Sequence, residues 1–276
     1  MIPVVSGKKM RLHVRHATHF EYDTALDYAV QRMLLTPLNF ASQKVESWNI
    51  TAPGMDKALA YTDGFGNKVH LATLTNHKGP MDVVAEGIVE SSDVGGLVKG
   101  IAETAPRAVY LRQTEATQPS TAMLKLATAP ESGDALGFIH RLKQQIHQNV
   151  EFQLGTTDAQ TTAAQAFANG SGVCQDHTHI LLGITRAMKI PSRYVTGYLV
   201  TGIGASSTAA HAWAEVYLPD LGWVGFDAAN GICPTDQYVR VASGLDAASV
   251  TPIRGSRRGG VAETMTVEVK VEIAQQ

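Results

Sequence analysis

The sequence predicts an α+β protein in which an antiparallel β domain precedes a domain of helices followed by strands. Up to about Glu90, short runs of alternating apolar and polar residues are separated by turn residues, which is typical of antiparallel strands. From Met123 the apolar residues recur every three or four positions, as in amphipathic helices, and after about Ser192 the period returns to two. Helices followed by a strand meander are typical of an α+β domain.

These changes of pattern divide the chain into four predicted segments. They are an N-terminal β domain at residues 10–90, a connector at 91–122, a core of helices and strands at 123–250, and a C-terminal loop and strand at 251–276.

Composition limits the classes of partner. The chain has 276 residues, of which 44% are hydrophobic and 17% charged, so it is long enough to bury one large or two ordinary cores. A formal net charge of -2 gives no electrostatic reason to expect nucleic acid, and no uncharged apolar run approaches the roughly 20 residues that cross a bilayer. Two cysteines and a start without the apolar core of a secretory signal favour the cytoplasm. We expect a protein or peptide substrate, no nucleic acid and no membrane, with the oligomeric state open.

The strands of the β domain are expected in alternating runs such as RLHVRHATHFEY, ESWNITA, ALAYTD, VHLATL and MDVVAEGIVE. Between two of them, DGFGN at residues 63–67 supplies glycines for positive φ and predicts a hairpin. Residues 91–120 have few periodic apolar positions and scattered Gly, Pro, Ser and Thr, which indicates an irregular connector.

Three helices are predicted next. GDALGFIHRLKQQIHQNVEF forms one apolar stripe, and Asp134 is placed to cap its start. TTAAQAFANG is a shorter helix that Thr161 or Thr162 would cap and that Gly170 would end. The third helix runs from Cys174 to about Lys189.

The remaining elements are predicted to be strands and one loop. SRYVTGYLV, HAWAEVYLP and GWVGFDAA are rich in aromatic and β-branched residues, as strands are. PIRGSRRGG, at residues 252–260, is predicted to be a solvated loop that carries Arg254, Arg257 and Arg258. TMTVEVKVEI, at 264–273, is a predicted strand that returns to the sheet of the first domain.

Cys174 has the most informative position for chemistry, because it follows a Gly-Ser-Gly turn and begins the third predicted helix. A thiol attacks as its thiolate, and the pKa of a thiol falls at a helix N-terminus or beside an imidazolium. Unpaired backbone N–H groups at that end can also hold an oxyanion. Gly170 and Gly172 are expected to let the backbone turn and to leave space over the sulfur. A lone cysteine at a helix start is more often a small packing residue, so the assignment depends on finding its partners.

A thiolate nucleophile needs a base, and the base needs an acceptor that orients it. His211 opens the run HAWAEVYLP, 37 residues after Cys174, and Asp227 lies late in GWVGFDAAN. Adjacent antiparallel strands would bring the two side by side. Considered separately, His211 could cap a loop and Asp227 could begin a turn. Considered together, Cys174, His211 and Asp227 are the predicted catalytic residues.

The three segments closely resemble the transglutaminase-like superfamily, whose motif regions are G-x-C-x-D, H-A-W-x-E-V and W-x-x-x-D. They are matched here at residues 172–176, 211–216 and 223–227. The run IPSRYVTGYL resembles the strand that follows the nucleophile helix in this family, and HATHFEYD with DGFGN resembles the β domain that precedes the core in bacterial members. After the acid the family usually continues with Pro-Thr, whereas this chain has Ala228 and Ala229.

The resemblance implies a papain-like transglutaminase core and thiol-dependent acyl transfer on an amide or peptide bond through a thioester. Cys174 would attack the carbonyl, His211 would take its proton and return it to the leaving amine, and Asp227 would hold the imidazole by accepting the Nδ1 proton. The superfamily includes cross-linking transglutaminases, proteases and peptide N-glycanases. We expect hydrolysis, by a bacterial transglutaminase-like cysteine protease or amidase, because nothing in the chain indicates an amine site. The alternatives are a protein-glutamine transglutaminase and a noncatalytic binding module that retains the fold.

No cofactor and no metal is expected. His177 and His179 lie beside Cys174, but their helical spacing places them about 200° apart, so they cannot chelate one ion together. Asp176 is expected to support the start of the helix through the helix dipole and backbone N–H groups. Cys233 has neither a helix start nor an evident base and is expected to be a bystander.

Overall fold

The computed structural model describes residues 9–127, 134–200, 206–207 and 210–274. Its strands are β1 (Lys9–Tyr22), β2 (Leu26–Thr36), β3 (Gln43–Thr51), β4 (Leu59–Thr62), β5 (Lys68–His77), β6 (Met81–Ser92), β7 (Leu97–Val98), β8 (Glu151–Phe152), β9 (Ser171–Gly172), β10 (Ser192–Leu199), β11 (Ser206–Ser207), β12 (His211–Leu218), β13 (Gly222–Phe226), β14 (Tyr238–Gly244), β15 (Ile253–Gly259) and β16 (Glu263–Ile273). Its α-helices are α1 (Thr121–Leu124), α2 (Ala135–Asn149), α3 (Ala163–Asn169) and α4 (Cys174–Ala187).

Two antiparallel sheets form the N-terminal part, with strand orders β11-β16-β1-β6-β3 and β15-β2-β5-β4. Side chains of β1 alternate between buried and partly exposed positions from Leu12 to Phe20, which is the period of a strand with one face in a core. Phe20, Met33, Ala72 and Val83, each from a different strand of the two sheets, meet in one apolar cluster. The sequence prediction of an N-terminal antiparallel β domain is confirmed.

The hairpin predicted at residues 63–67 joins β4 to β5. The Asp63 Oδ1 atom accepts hydrogen bonds from the backbone N–H groups of Phe65 and Asn67, at 2.9 Å each. Gly66 has a φ of 85°, a conformation that favours glycine. The side chain of Asp63 therefore replaces part of the backbone bonding in the turn.

The prediction of a loop at residues 252–260 is wrong, because Ile253–Gly259 form strand β15. This strand pairs with β2, from Ile253 opposite Met33 to Gly259 opposite Leu26. A Cβ atom at Gly255 would lie 2.7 Å from the Val30 carbonyl oxygen, so glycine permits the close approach of the two strands. The arginines that suggested a solvated loop are the outward side chains of an edge strand, where charge limits unwanted pairing.

The C-terminal strand β16 returns to the first sheet, as the sequence predicts. It pairs with β1 from Ile273 opposite Leu12 to Glu263 opposite Tyr22, so the end of the chain is part of the N-terminal sheet.

The core contains an antiparallel sheet of order β14-β10-β12-β13-β7, against which α4 packs through β12 and β10. The predicted helix caps are present: Asp134 accepts the Gly137 N–H, Thr162 accepts the Gln165 N–H, and Gly170 ends α3 with a φ of 68°. No helix in the described ranges combines the length and the apolar character that crossing a membrane requires.

Buried hydrogen bonds fasten the N-terminal sheets to the core. Tyr198 on β10 bonds to the Nδ1 atom of His16 on β1, at 3.0 Å. The Gln43 side chain pairs with both backbone polar groups of Arg240, at 2.7 and 2.9 Å. These contacts hold β1 against β10 and β3 against β14.

Candidate active site

Cys174 is the first residue of α4, as expected, and is partly buried. The N-cap residue Val173 has no capping side chain, and Asp176 instead reaches back so that its Oδ2 atom accepts the Val173 N–H at 2.8 Å. The Thr157 hydroxyl donates to the same oxygen at 2.7 Å. Burial raises the pKa of Asp176, although these donors favour its ionised form. Asp176 thus has the expected structural role of closing the turn that presents the cysteine.

Gly172 has a different role from the one expected. A Cβ atom at this position would lie 2.7 Å from the Asp176 Oδ2 atom, and the residue is buried. The glycine therefore leaves room for the Asp176 carboxylate beneath the turn, and its missing side chain does not open space over the sulfur. Gly170 provides the sharp turn, through its positive φ.

His211 and Asp227 lie at neighbouring ends of paired antiparallel strands. His211 is the first residue of β12, and Asp227 directly follows β13, which pairs with β12. The His211 Nε2 atom lies 2.6 Å from the Asp227 Oδ2 atom. The prediction that Nδ1 makes this contact is wrong. Because Nε2 faces the carboxylate, Nδ1 is the ring nitrogen left for the cysteine side.

The Asp227 carboxylate is fully buried and accepts five hydrogen bonds. Oδ2 accepts from His211 Nε2, from the Tyr238 hydroxyl at 2.8 Å and from Asn230 Nδ2 at 2.7 Å. Oδ1 accepts from the backbone N–H groups of Ala229 and Asn230, at 3.0 and 3.1 Å. Burial raises the pKa of Asp227, but the His211 hydrogen bond and charge and the other donors outweigh it, so the pKa is lowered.

His211 favours its protonated form. Burial lowers the pKa of His211, but the hydrogen bond to Asp227, then the hydrogen bond and charge of Cys174, outweigh burial and raise the pKa to about 10. The imidazole thus interacts with the carboxylate on one side and the cysteine on the other. This arrangement is the one that stabilises an imidazolium beside a thiolate.

A cavity of about 490 Å³ opens beside Cys174 and His211. One wall comes from the core, including Tyr194 on β10, and the opposite wall comes from the N-terminal sheet, including Thr18 and Val267. The side chains with the proposed chemistry are therefore accessible from a cavity that both halves of the chain line.

Glu215, the acidic residue of the H-A-W-x-E-V motif, has no contact with the cavity beside Cys174. It is fully buried and bonds to the Nε atoms of Arg193 on β10, at 2.6 Å, and of Arg240 on β14, at 2.8 Å. Burial raises the pKa of Glu215, but the charges of the two arginines outweigh it and lower the pKa. The three charges join β10, β12 and β14 and so fix the strand that begins with His211.

The remaining residues flagged in the sequence lie outside this cavity. The ring nitrogens of His177 lie 2.9 Å from the Val173 and Val150 carbonyl oxygens, and His179 Nε2 accepts the Ala247 N–H. Burial raises the pKa of Cys233, which lines no part of the cavity. Within the described part of the chain, no group of three or more His, Cys, Asp or Glu side chains is placed to hold a metal ion.

Sequence reasoning missed Tyr238, Asn230 and Glu215. Asn230 lies three residues after Asp227, a spacing at which a turn brings two polar side chains together, so its role could have been inferred. Tyr238 opens a strand 11 residues after Asp227, and nothing local in the sequence indicates that its hydroxyl reaches the carboxylate.

Two family models match the chain. The transglutaminase-like superfamily core matches residues 122–228, and the bacterial transglutaminase-like N-terminal region matches residues 12–90. The first match contains all three predicted catalytic positions. The chain therefore belongs to the transglutaminase-like superfamily, with a core preceded by the bacterial N-terminal region.

Similar proteins extend over almost the whole chain. The ML0607 protein of Mycobacterium leprae is 26% identical over 276 residues, covering 95% of this chain and 98% of that protein. The Rv2569c protein of Mycobacterium tuberculosis is 26% identical over 298 residues, covering 95% and 92%. The names of both assign no activity. A crystal structure from Cytophaga hutchinsonii, of a proposed cysteine protease, has a TM-score of 0.75 and 20% identity, covering 98% of this chain and 92% of that one. This likeness shows that the fold is shared.

Proposed function

We propose that the protein hydrolyses an amide or peptide bond through a thioester on Cys174, with His211 as general base and acid and Asp227 as the group that orients His211. The observation that carries the proposal is the 2.6 Å contact between His211 Nε2 and Asp227 Oδ2, beside the cysteine that begins α4. A thiol, an imidazole and an orienting carboxylate are the groups that nucleophilic acyl transfer requires.

The proposed reaction begins from the thiolate of Cys174 and the imidazolium of His211. The sulfur attacks the carbonyl carbon, and the backbone N–H of Cys174, which has no carbonyl partner within the helix, is placed to donate to the oxyanion. The His211 Nδ1 proton then passes to the leaving nitrogen as the carbon–nitrogen bond breaks, which leaves a thioester. Water attacks the thioester, gives a proton to Nδ1 and releases the acid.

Asp227 keeps the Nε2–H of His211 fixed during both steps. Since its carboxylate accepts five hydrogen bonds, its position does not depend on the histidine alone. The negative charge of Asp227 stabilises the imidazolium, and the fixed ring keeps Nδ1 directed toward the sulfur and the leaving group.

The test of hydrolysis against amine transfer is a peptide library analysed by mass spectrometry, with and without an added primary amine. Hydrolysis predicts cleaved or deamidated peptides whose yield does not depend on the amine. Products that carry the amine, with little hydrolysis, would instead establish a transglutaminase. Cys174→Ala is the matched control, because it removes the sulfur and leaves the cavity otherwise intact.

The test of catalysis against a noncatalytic module is the rate of Cys174 alkylation by iodoacetamide at neutral pH. An activated thiol reacts faster than a free cysteine peptide. A rate equal to that of the peptide would contradict the proposed nucleophile.

A further inference from the structure

Most of the side chains that line the cavity beside Cys174 are small or apolar. Small and apolar side chains dominate the core side, among them Ala212, Ala247 and Val250, while Val267 and Ile253 contribute from the strands of the N-terminal sheets. No Asp, Glu, Lys or Arg is among its lining residues within the part of the chain that the structure describes. A volume of about 490 Å³ is within the usual range of roughly 300 to 1,000 Å³ for pockets that bind small groups.

The titratable groups that line the cavity, other than Cys174 and His211, are uncharged at neutral pH. His16 is buried, its Nδ1 and Nε2 atoms contact the Tyr198 and Thr18 hydroxyls, and burial lowers its pKa to about 4. Tyr194 is 4% exposed, and burial, with a smaller effect from the Cys174 charge, raises its pKa well above the usual value. A charged group placed here would lose its hydration and would find no opposite charge on the walls other than those of Cys174 and His211 themselves.

The wall that faces the core comes from two paired strands of the N-terminal sheet. Thr18 on β1 lies opposite Val267 on β16, and both line the cavity. Met265, two residues before Val267, also lines it and is 55% exposed, which places a large apolar side chain at the rim. The β domain and the returning C-terminal strand therefore contribute directly to the space in which a substrate would meet Cys174.

We propose that this cavity is the specificity pocket for an uncharged aliphatic side chain next to the scissile amide, and that β1 and β16 form its selective wall. The inference rests on the proposed function, since it takes Cys174 as the nucleophile that the bound group approaches. The N-terminal β domain is then a substrate-selecting element. Substrates with acidic or basic side chains at this position are excluded by desolvation, and aliphatic ones are held by burial.

The experiment uses alkylating reagents whose tails imitate the substrate side chain. Iodoacetamide, N-isobutyl iodoacetamide and two analogues of similar length that end in a carboxylate or an ammonium group are compared by their second-order rates with Cys174, read by intact mass. The isobutyl reagent is expected to exceed each charged analogue by at least about tenfold, after each rate is divided by its rate with a free cysteine peptide.

Variants on one strand test the wall. Val267→Asp places a carboxylate in the cavity and is expected to abolish the preference for the isobutyl tail and to favour the ammonium tail. Thr266→Asp is the matched control, because it introduces the same carboxylate on an exposed neighbour that does not line the cavity. It should keep the wild-type order of the reagent rates. Val267→Thr, which nearly preserves the side-chain shape, should weaken the preference in the same direction and serves if the aspartate variant does not fold.

Failure of the pocket and failure of the proposed function give different results. If Cys174 is not activated, iodoacetamide reacts with it at the rate of a free thiol. The ratio of the rates for the isobutyl and charged reagents still measures the preference of the cavity. Equal normalised rates for all tails, or the same change in Val267→Asp and Thr266→Asp, would overturn the specificity pocket while leaving the nucleophile in place.

Discussion

Replacing Asp227 with asparagine is predicted to keep the fold while removing the acceptor that orients His211. Oδ2 of the aspartate accepts three hydrogen bonds from side chains, and Oδ1 accepts two from backbone N–H groups. An asparagine amide has one oxygen and one donating nitrogen. Whichever way it is oriented, its NH2 group faces at least two donors, and the orientation that keeps the backbone bonds places this group against His211 Nε2.

The expected magnitude follows from the electrostatics of His211. Its rise in pKa from 6.5 to about 10 represents a preference for the imidazolium on the order of 5 kcal/mol, to which Asp227 and Cys174 both contribute. Loss of the part that Asp227 contributes, together with stabilisation of the wrong imidazole tautomer, is expected to lower the acylation rate by up to about 10⁴, the scale known for this change in serine proteases. Donors left unpaired at the buried site should lower the free energy of unfolding by about 1–3 kcal/mol.

The assay is the pH dependence of Cys174 alkylation by iodoacetamide in wild type and Asp227→Asn. Because the variant stabilises the imidazolium less, the midpoint of the alkylation curve should move to higher pH. Asp134→Asn is the control, since Asp134 caps α2 on the surface and asparagine caps equally well. Curves that superimpose for wild type and Asp227→Asn would mean that Asp227 only shapes the turn after β13.

Three further predictions concern single-residue variants of the same protein. Cys233→Ser should keep the fast alkylation phase and Cys174→Ala should abolish it, because burial raises the pKa of the Cys233 thiol; equal behaviour of the two variants would refute the assignment. Tyr238→Phe removes one donor to Asp227 and should slow ester hydrolysis by up to about tenfold, with a larger loss pointing to direct contact with substrate. Burial lowers the pKa of His16 to about 4 in the folded chain. The unfolded chain therefore takes up this proton first, near its usual pKa of about 6.5, and wild-type stability should fall as pH drops from 6.5 to 4. His16→Gln should remove roughly 3 kcal/mol of that dependence in urea unfolding, and an unchanged pH dependence would contradict the buried neutral ring.

Elements with a clear local signal were predictable from the sequence. In the hairpin at residues 63–67, the side chain of Asp63 and the glycines define the turn. Helix α2 has an apolar stripe, and Asp134 caps its start. Strand β15 was not predicted, because it has two glycines and three arginines and its strand conformation comes from pairing with β2. Pairing between segments more than 200 residues apart leaves no local pattern.

In the candidate site, too, some features were predictable from the sequence and others were not. Cys174, His211 and Asp227 could be named as candidates from the sequence, because each lies in a short motif at the edge of a regular element. The ring nitrogen that faces Asp227 was assigned wrongly, since it depends on side-chain rotation and not on residue type. The Tyr238 contact was also not predictable, because it joins strand ends whose proximity only the folded sheet defines.

The most direct test of a thioester enzyme is the acyl intermediate itself. Purified protein is mixed with p-nitrophenyl acetate, quenched in acid at short times, and analysed by intact mass and peptide mapping. We expect one acetyl group on Cys174 that forms in a burst with nitrophenolate and then decays with water, and no such adduct in Cys174→Ala. Absence of a burst, or acetylation that is unchanged in Cys174→Ala, would contradict Cys174 as the nucleophile.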